Sequence, residues 1–157
     1  MIAYFNGSFL RKEEISISPD DRGFLFSDGV YEVVRAYGGK PFKMTEHMDR
    51  LARSLRETRI DFPGVADLAV TGAKLIAMNG LETADSILHF QVTRGVALRK
   101  HTFPDPPVPA TAMVLISPAP SSAEMREKGV GAILVPEFRW SRCDITAIGL
   151  MGSVLAA

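Results

Sequence analysis

Hydrophobic and polar positions alternate with two periods along this chain, and the switches between them predict its elements. Two short apolar runs, IAYF and SFLR, flank Asn6-Gly7, a pair whose ease with positive φ makes it a strong hairpin signal. EEISISP sets Ile15 and Ile17 against polar neighbours, the pattern of a half-buried strand. VYEVVRAY, Gly38-Gly39 and KPFKM read as a second hairpin. The period then changes. Met48, Leu51, Ala52 and Leu55 fall on one helical face, with Arg50, Arg53 and Arg56 on the other side, and Thr45 is the expected N-cap ahead of an acidic first turn at Glu46. Asp61 to Pro63 breaks that helix. A second shows Val65, Leu68, Ala69, Gly72, Leu75 and Ile76 at helical spacing and stops at Asn79-Gly80.

Alternation returns in SILHFQVTRG, where Leu88, Phe90 and Val92 oppose His89, Gln91 and Thr93. Four prolines between Thr102 and Ala110 make a stiff connector, and TAMVLISP is a buried strand. SSAEMREKG reads as a short helix in which Ser121 and Glu124 have capping-box spacing, and GAILVPEF as a further strand. Strands, then helices, then strands predict an α+β fold: a two-layer domain with an antiparallel sheet and two helices over residues 1–119. Residues 120–157 are too few to bury a core of their own. They read as a linker and the first strand and helix of an incomplete second α/β domain, with SVLAA as the opening of a helix that has no closing signal.

Composition narrows the class. The chain has 157 residues, is 46% hydrophobic and 23% charged, and carries a net charge of +0. Without a basic excess, nucleic acid and anionic membrane surfaces are not expected partners. Twelve of the 18 basic residues are Arg, the better group for fixed recognition of carboxylate or phosphate, although an Arg-rich surface accounts for the same count. A single cysteine, Cys143, cannot form an internal disulfide, and the first ten residues lack the basic and apolar regions of a signal peptide. Both point to the cytoplasm. The uncharged run from Ile145 to Ala157 is too short to span a bilayer.

The sequence contains no phosphate-binding glycine loop, no metal-ligand spacing and no nucleophile elbow. His47, His89 and His101 are scattered, and each alone reads as structural. Two stretches carry candidate chemistry. Asp28-Gly29 turns the chain just before a strand and presents Tyr31, which a half-buried strand aromatic also explains. Arg99 and His101, at i and i+2 of a loop, point to one side and suit a carboxylate, though a solvated basic loop has the same residues.

DRGFLFSDGVYEVVRAYGGKPFKMTEHMDRL, the VTRG and R-x-H segments, and RWSRCDI together resemble the D-amino-acid aminotransferases. These belong to the fold type IV group of pyridoxal-phosphate enzymes, with branched-chain aminotransferases and aminodeoxychorismate lyases. The resemblance runs over essentially the whole chain. It implies a two-domain subunit, a homodimer, a cofactor site between the domains, and a small amino acid or 2-oxo acid as substrate. Carried over by position, Arg50 matches the arginine that grips the cofactor phosphate, and Tyr31 an active-site tyrosine. Arg99 and His101 match the pair that holds the substrate α-carboxylate across the subunit interface.

Thr146 stands where the resemblance expects the Schiff-base lysine, and Gly149 where it expects asparagine. A hydroxyl forms no stable imine. Covalent cofactor binding is therefore not expected, nor is activity of the chain as it stands. The family's length is nearly twice this one, and the part beyond carries the acid that pairs with the pyridine nitrogen. Kept alongside are a lyase-like or branched-chain-type enzyme on the same fold, and a non-catalytic dimeric remnant or binding module.

Overall fold

A computed structural model describes every residue of the chain except 121, 138 and 139. Its centre is a six-stranded sheet of order β2-β1-β6-β5-β3-β4, in which each neighbouring pair is antiparallel. The strands are β1 (Ile2–Phe5), β2 (Ser8–Arg11), β3 (Gly29–Tyr37), β4 (Lys40–Pro41), β5 (Ser86–Thr93) and β6 (Thr111–Pro118). The helices are α1 (Arg22–Phe26), α2 (Met44–Glu57), α3 (Val65–Met78), α4 (Ala123–Lys128) and α5 (Met151–Leu155).

The alternation in β3, β5 and β6 decides which way the sheet faces. Val30 and Val34, Leu88, Phe90 and Val92, and Val114 and Ile116 are buried in a core shared with Leu51 and Leu55 of α2 and Leu68, Leu75 and Ile76 of α3. Burying each such side chain contributes about 1.5–3 kcal/mol, so this one layer of helices on one sheet face is the main stabilising contact. Gly72 permits the close approach of α3: a Cβ there would lie 2.9 Å from the Phe90 ring. The opposite parity, with Tyr31 opposite Gln91 and Val33 opposite His89, forms the other face, which neither long helix covers.

Both hairpins, both long helices, β5 and β6 form where the patterning places them. Three local expectations do not hold. Ile15 and Ile17 belong to no strand. Residues 12–14 wind into a 3-10 turn instead, closed by Glu14 accepting from the Arg11 amide (3.1 Å) and guanidinium (2.9 Å), and Ile17 is left exposed. Thr45 lies inside α2 rather than capping it. The N-cap is Lys43, at φ 56, and its ammonium reaches Glu46 in the first turn at 2.7 Å, an ion pair in place of a hydroxyl cap. Residues 131–137 pair with no strand of the sheet and are exposed. The predicted capping box of Ser121 with Glu124 lies outside the described residues, and the structure gives Ser122 as the N-cap of α4.

Candidate active site

The site is assembled where α1 hands over to β3. Asp21 caps α1 by accepting from the Gly23 amide at 2.8 Å, and Ser27, at φ 56, ends the helix in the left-handed region. The chain then turns through Asp28 and enters β3 at Gly29. At that end β3 has two neighbours. On one side is β5. On the other is the segment around Thr146: the Tyr31 amide donates to the Thr146 carbonyl (2.9 Å), the Ile148 amide donates to the Gly29 carbonyl (3.1 Å), and Val30 bridges Ala147. Ile145 is buried in the core just before it.

Ion pairs on α2 hold this segment from below. Arg53 reaches both the carboxylate and the carbonyl of Asp144, and Arg142 donates to Asp144 (2.9 and 3.0 Å) and to Glu57 (2.8 Å). The bonds from Arg142 hold the Asp144 carboxyl down at about 2, and the same bonds push the Arg142 guanidinium up. Beside Thr146 opens a cavity of 530 Å³ lined by Tyr31, Phe26, Cys143, Trp140 and Ser153, among others, with no lysine in its wall. Cys143 is exposed, its thiol donating to the Trp140 carbonyl at 3.0 Å.

Arg50 lies on the helix side of β3. Its Nε and Nη2 donate to the two oxygens of Glu32 at 2.5 and 2.6 Å, and His47 Nδ1 stands 2.8 Å from one of them. The hydrogen bonds to Glu32 push the Arg50 guanidinium further up. Glu32 is fully buried, whereas Arg50 is half exposed. Nη1 makes no bond among the described residues, so it is the nitrogen open to a further anion. Tyr31 has its ring partner in His89, 5.7 Å between centroids on the open sheet face, and burial pushes that imidazole down.

Arg99 and His101 converge on one side chain. The Arg99 guanidinium lies 5.3 Å from the centroid of the Phe26 ring, and the His101 imidazole meets the same ring edge-on at 5.6 Å. The structure thus brings Arg99 together with His101, and Tyr31 together with Thr146. Phe26 touches both groups: its ring also lines the Thr146 cavity and a second one, of 530 Å³, that includes His101. Arg50 joins neither group within the chain.

Glu32, His47 and the Arg22–Asp28–Arg94 cluster were not singled out from the sequence. For Glu32 a signal existed. In VYEVV it shares the parity of Val30 and Val34, and a carboxylate on the core face of a strand requires a buried partner.

Known proteins give this geometry a family. Residues 29–157 match the family described as amino-transferase class IV. The D-alanine aminotransferase of Staphylococcus aureus (strain MSSA476) is 40% identical over 154 residues, covering 98% of this chain and 54% of that protein. The branched-chain aminotransferase of Thermoproteus uzoniensis, solved with norvaline, superposes with a TM-score of 0.84 at 21% identity over 100% of this chain and 55% of its own. Another branched-chain aminotransferase, from T.th. and solved with pyridoxamine 5'-phosphate, gives 0.67 at 24% over 76% and 40%. The chain spans about half the length of the relatives it matches. Among the described residues no helix is long and apolar enough to cross a membrane, and no acid, His and Cys cluster is built to hold a metal. The match over most of its length places the chain among the class IV aminotransferases.

Proposed function

We propose that this chain is a D-amino-acid aminotransferase-type protein that recognises small amino acids or 2-oxo acids through their carboxylate, and that it does not itself form the covalent link to pyridoxal phosphate. The observation that carries this is Thr146. Its backbone is bonded beside Tyr31 with no amine in the wall of the adjoining cavity. An imine requires an amine of lowered pKa. Of the six lysines, Lys43 and Lys128 are held in surface ion pairs and Lys12, Lys40, Lys74 and Lys100 are exposed. The residues present fit a phosphate at Arg50 and a carboxylate at Arg99 and His101. They do not fit covalent attachment of the cofactor.

The D-amino-acid reading draws its support from the likeness to D-alanine aminotransferases at 40% identity. The likeness to branched-chain enzymes is one of fold. A cytoplasmic homodimer is the assembly we propose, on the family resemblance. The test is borohydride reduction after addition of pyridoxal phosphate, followed by peptide mapping. The expected result is no stoichiometric pyridoxyl-lysine in the native chain and labelling at position 146 in Thr146→Lys. Stoichiometric labelling of any native lysine overturns the reading.

A further inference from the structure

We propose that Arg22 and Asp28 are positioning residues for the Arg99–His101 carboxylate clamp, acting through the backbone of Lys100 and the ring of Phe26. This rests on the reading of Arg99 and His101 as that clamp. The Asp28 carboxylate accepts from two buried guanidinium groups: Arg22 Nε at 2.8 Å, and Arg94 Nε and Nη2 at 2.8 and 2.9 Å. The Arg22 and Arg94 side chains are only 4% and 9% exposed, so neither is a surface pair. Two guanidiniums on one carboxylate are held in fixed planes, because each fork has a defined direction.

Both forks also bond backbone carbonyls. Arg22 Nη1 donates to the carbonyl of Lys100 at 2.7 Å, the residue between the two clamp side chains. Arg94 donates to the carbonyls of Arg59 and Thr58 at 2.7 and 2.8 Å, and its guanidinium lies 4.1 Å from the centre of the Phe103 ring. The loop is therefore gripped at Lys100 and touched at Phe103, on either side of His101. Among the described residues, the bond from Arg22 is the only hydrogen bond that residues 98–103 make to the rest of the protein. Arg99, Lys100 and His101 are otherwise exposed.

Phe26 completes the device. It sits one helical turn after Arg22, whose guanidinium is 4.9 Å from its ring, and its ring meets both Arg99 and His101. A single short helix thus sets the backbone between the clamp residues and supplies the surface on which both rest. Without the Lys100 bond, an exposed loop has no polar contact to fix its register, and two side chains that must present donors to one carboxylate lose their shared orientation.

The experiment uses the whole chain, NMR and pyruvate as the carboxylate probe. With the two rings edge-on at 5.6 Å, the Phe26 ring current should displace the His101 ring-proton signals, which would report the clamp geometry without any ligand. Arg22→Lys keeps the charge but loses the planar fork whose separate nitrogens bond Asp28 and the Lys100 carbonyl in fixed directions, and it leaves the Asp28–Arg94 pair in place. The expected result is a His101 signal moved towards that of a free imidazole and a pyruvate Kd raised by about tenfold, one hydrogen bond's worth, with the β5 and β6 amide signals unmoved. Asp28→Asn is expected to do the same, and where it fails to fold Arg22→Lys decides. An unmoved His101 signal and unchanged Kd in Arg22→Lys overturn the positioning role alone. Absent pyruvate binding in the native chain, or binding unaffected by Arg99→Ala, overturns the clamp reading and this proposal with it.

Discussion

Arg50→Ala isolates the energetics of Glu32, the most deeply buried charged group among the described residues. Glu32 is 0% exposed and Arg50 49% exposed, so removing the arginine strands a carboxylate that cannot reach water by itself. Breaking a fully buried ion pair from one side costs about 3–5 kcal/mol. Two features lower that here. Solvent already reaches half of the Arg50 side chain, and His47 Nδ1 stays 2.8 Å from a Glu32 oxygen. The expected loss is therefore about 2–3 kcal/mol, a fall in Tm of roughly 5–10 °C for a chain of this size. Arg53→Ala, one turn along α2, is the internal control. It removes a pair to Asp144 exposed on both sides, which is worth less than about 1 kcal/mol. Urea denaturation at pH 7 and low salt measures both. In a Glu32→Gln background the carboxylate is gone, and Arg50→Ala should then cost much less. Equal losses from Arg50→Ala and Arg53→Ala would refute the reasoning, since they would mean that Glu32 is not energetically buried. Glu32→Gln also separates stability from ligand binding, because it retains Arg50 for a phosphate.

Gly95 sits at φ 98, and a Cβ there would lie 2.0 Å from the Pro109 carbonyl oxygen, so Gly95→Ala should lower stability by more than about 2 kcal/mol in urea unfolding. Because the folded Asp144 carboxyl is held at about 2, its pairing stabilises the protein above the ordinary carboxylate range and is lost as pH falls from about 4 towards 2; the difference in urea midpoint between the native chain and Asp144→Asn should vanish across that window. Burial lowers the His89 pKa, so the unfolded chain takes up that proton first as pH falls below about 6.5 and stability declines there; His89→Gln should remove that part of the decline, and an imidazole signal titrating at or above 6.5 would refute it.

Elements were legible wherever a period persisted for seven or more residues against a partner. β5 and β6 have long alternation and neighbours on both sides, and α2 and α3 have an apolar stripe that meets the sheet. GAILVPEF has strand composition, but composition cannot supply a neighbour, and the segment is exposed among the described residues. Thr45 failed for a subtler reason: a threonine before an acidic turn is good cap chemistry, yet the left-handed Lys43 takes the cap two residues earlier. The site was partly legible in the same way. The i, i+2 spacing of Arg99 and His101 suggested one shared side, and both lie against Phe26, a ring on α1 far back in the chain that no local pattern connects to them. Asp28 read as a turn former. Its two guanidinium partners, six and 66 residues away, are invisible to any local pattern.

The position of Thr146 shows how chemistry and fold separate at one residue. What places it is the Tyr31 amide on its carbonyl, the Ile148 amide on the Gly29 carbonyl, buried Ile145 and the Asp144 network. None of these bonds uses the side chain at 146. A threonine there lacks the amine an imine requires, while the contacts that place the residue run through its backbone and its neighbours. No hydrogen bond among the described residues depends on that side chain, in contrast to Glu32 or Asp28, where a change breaks buried pairs. The same independence is why Thr146→Lys should be tolerated: its ammonium would project beside a 530 Å³ cavity that already includes Tyr31, and no buried hydrogen bond has to be given up to admit it.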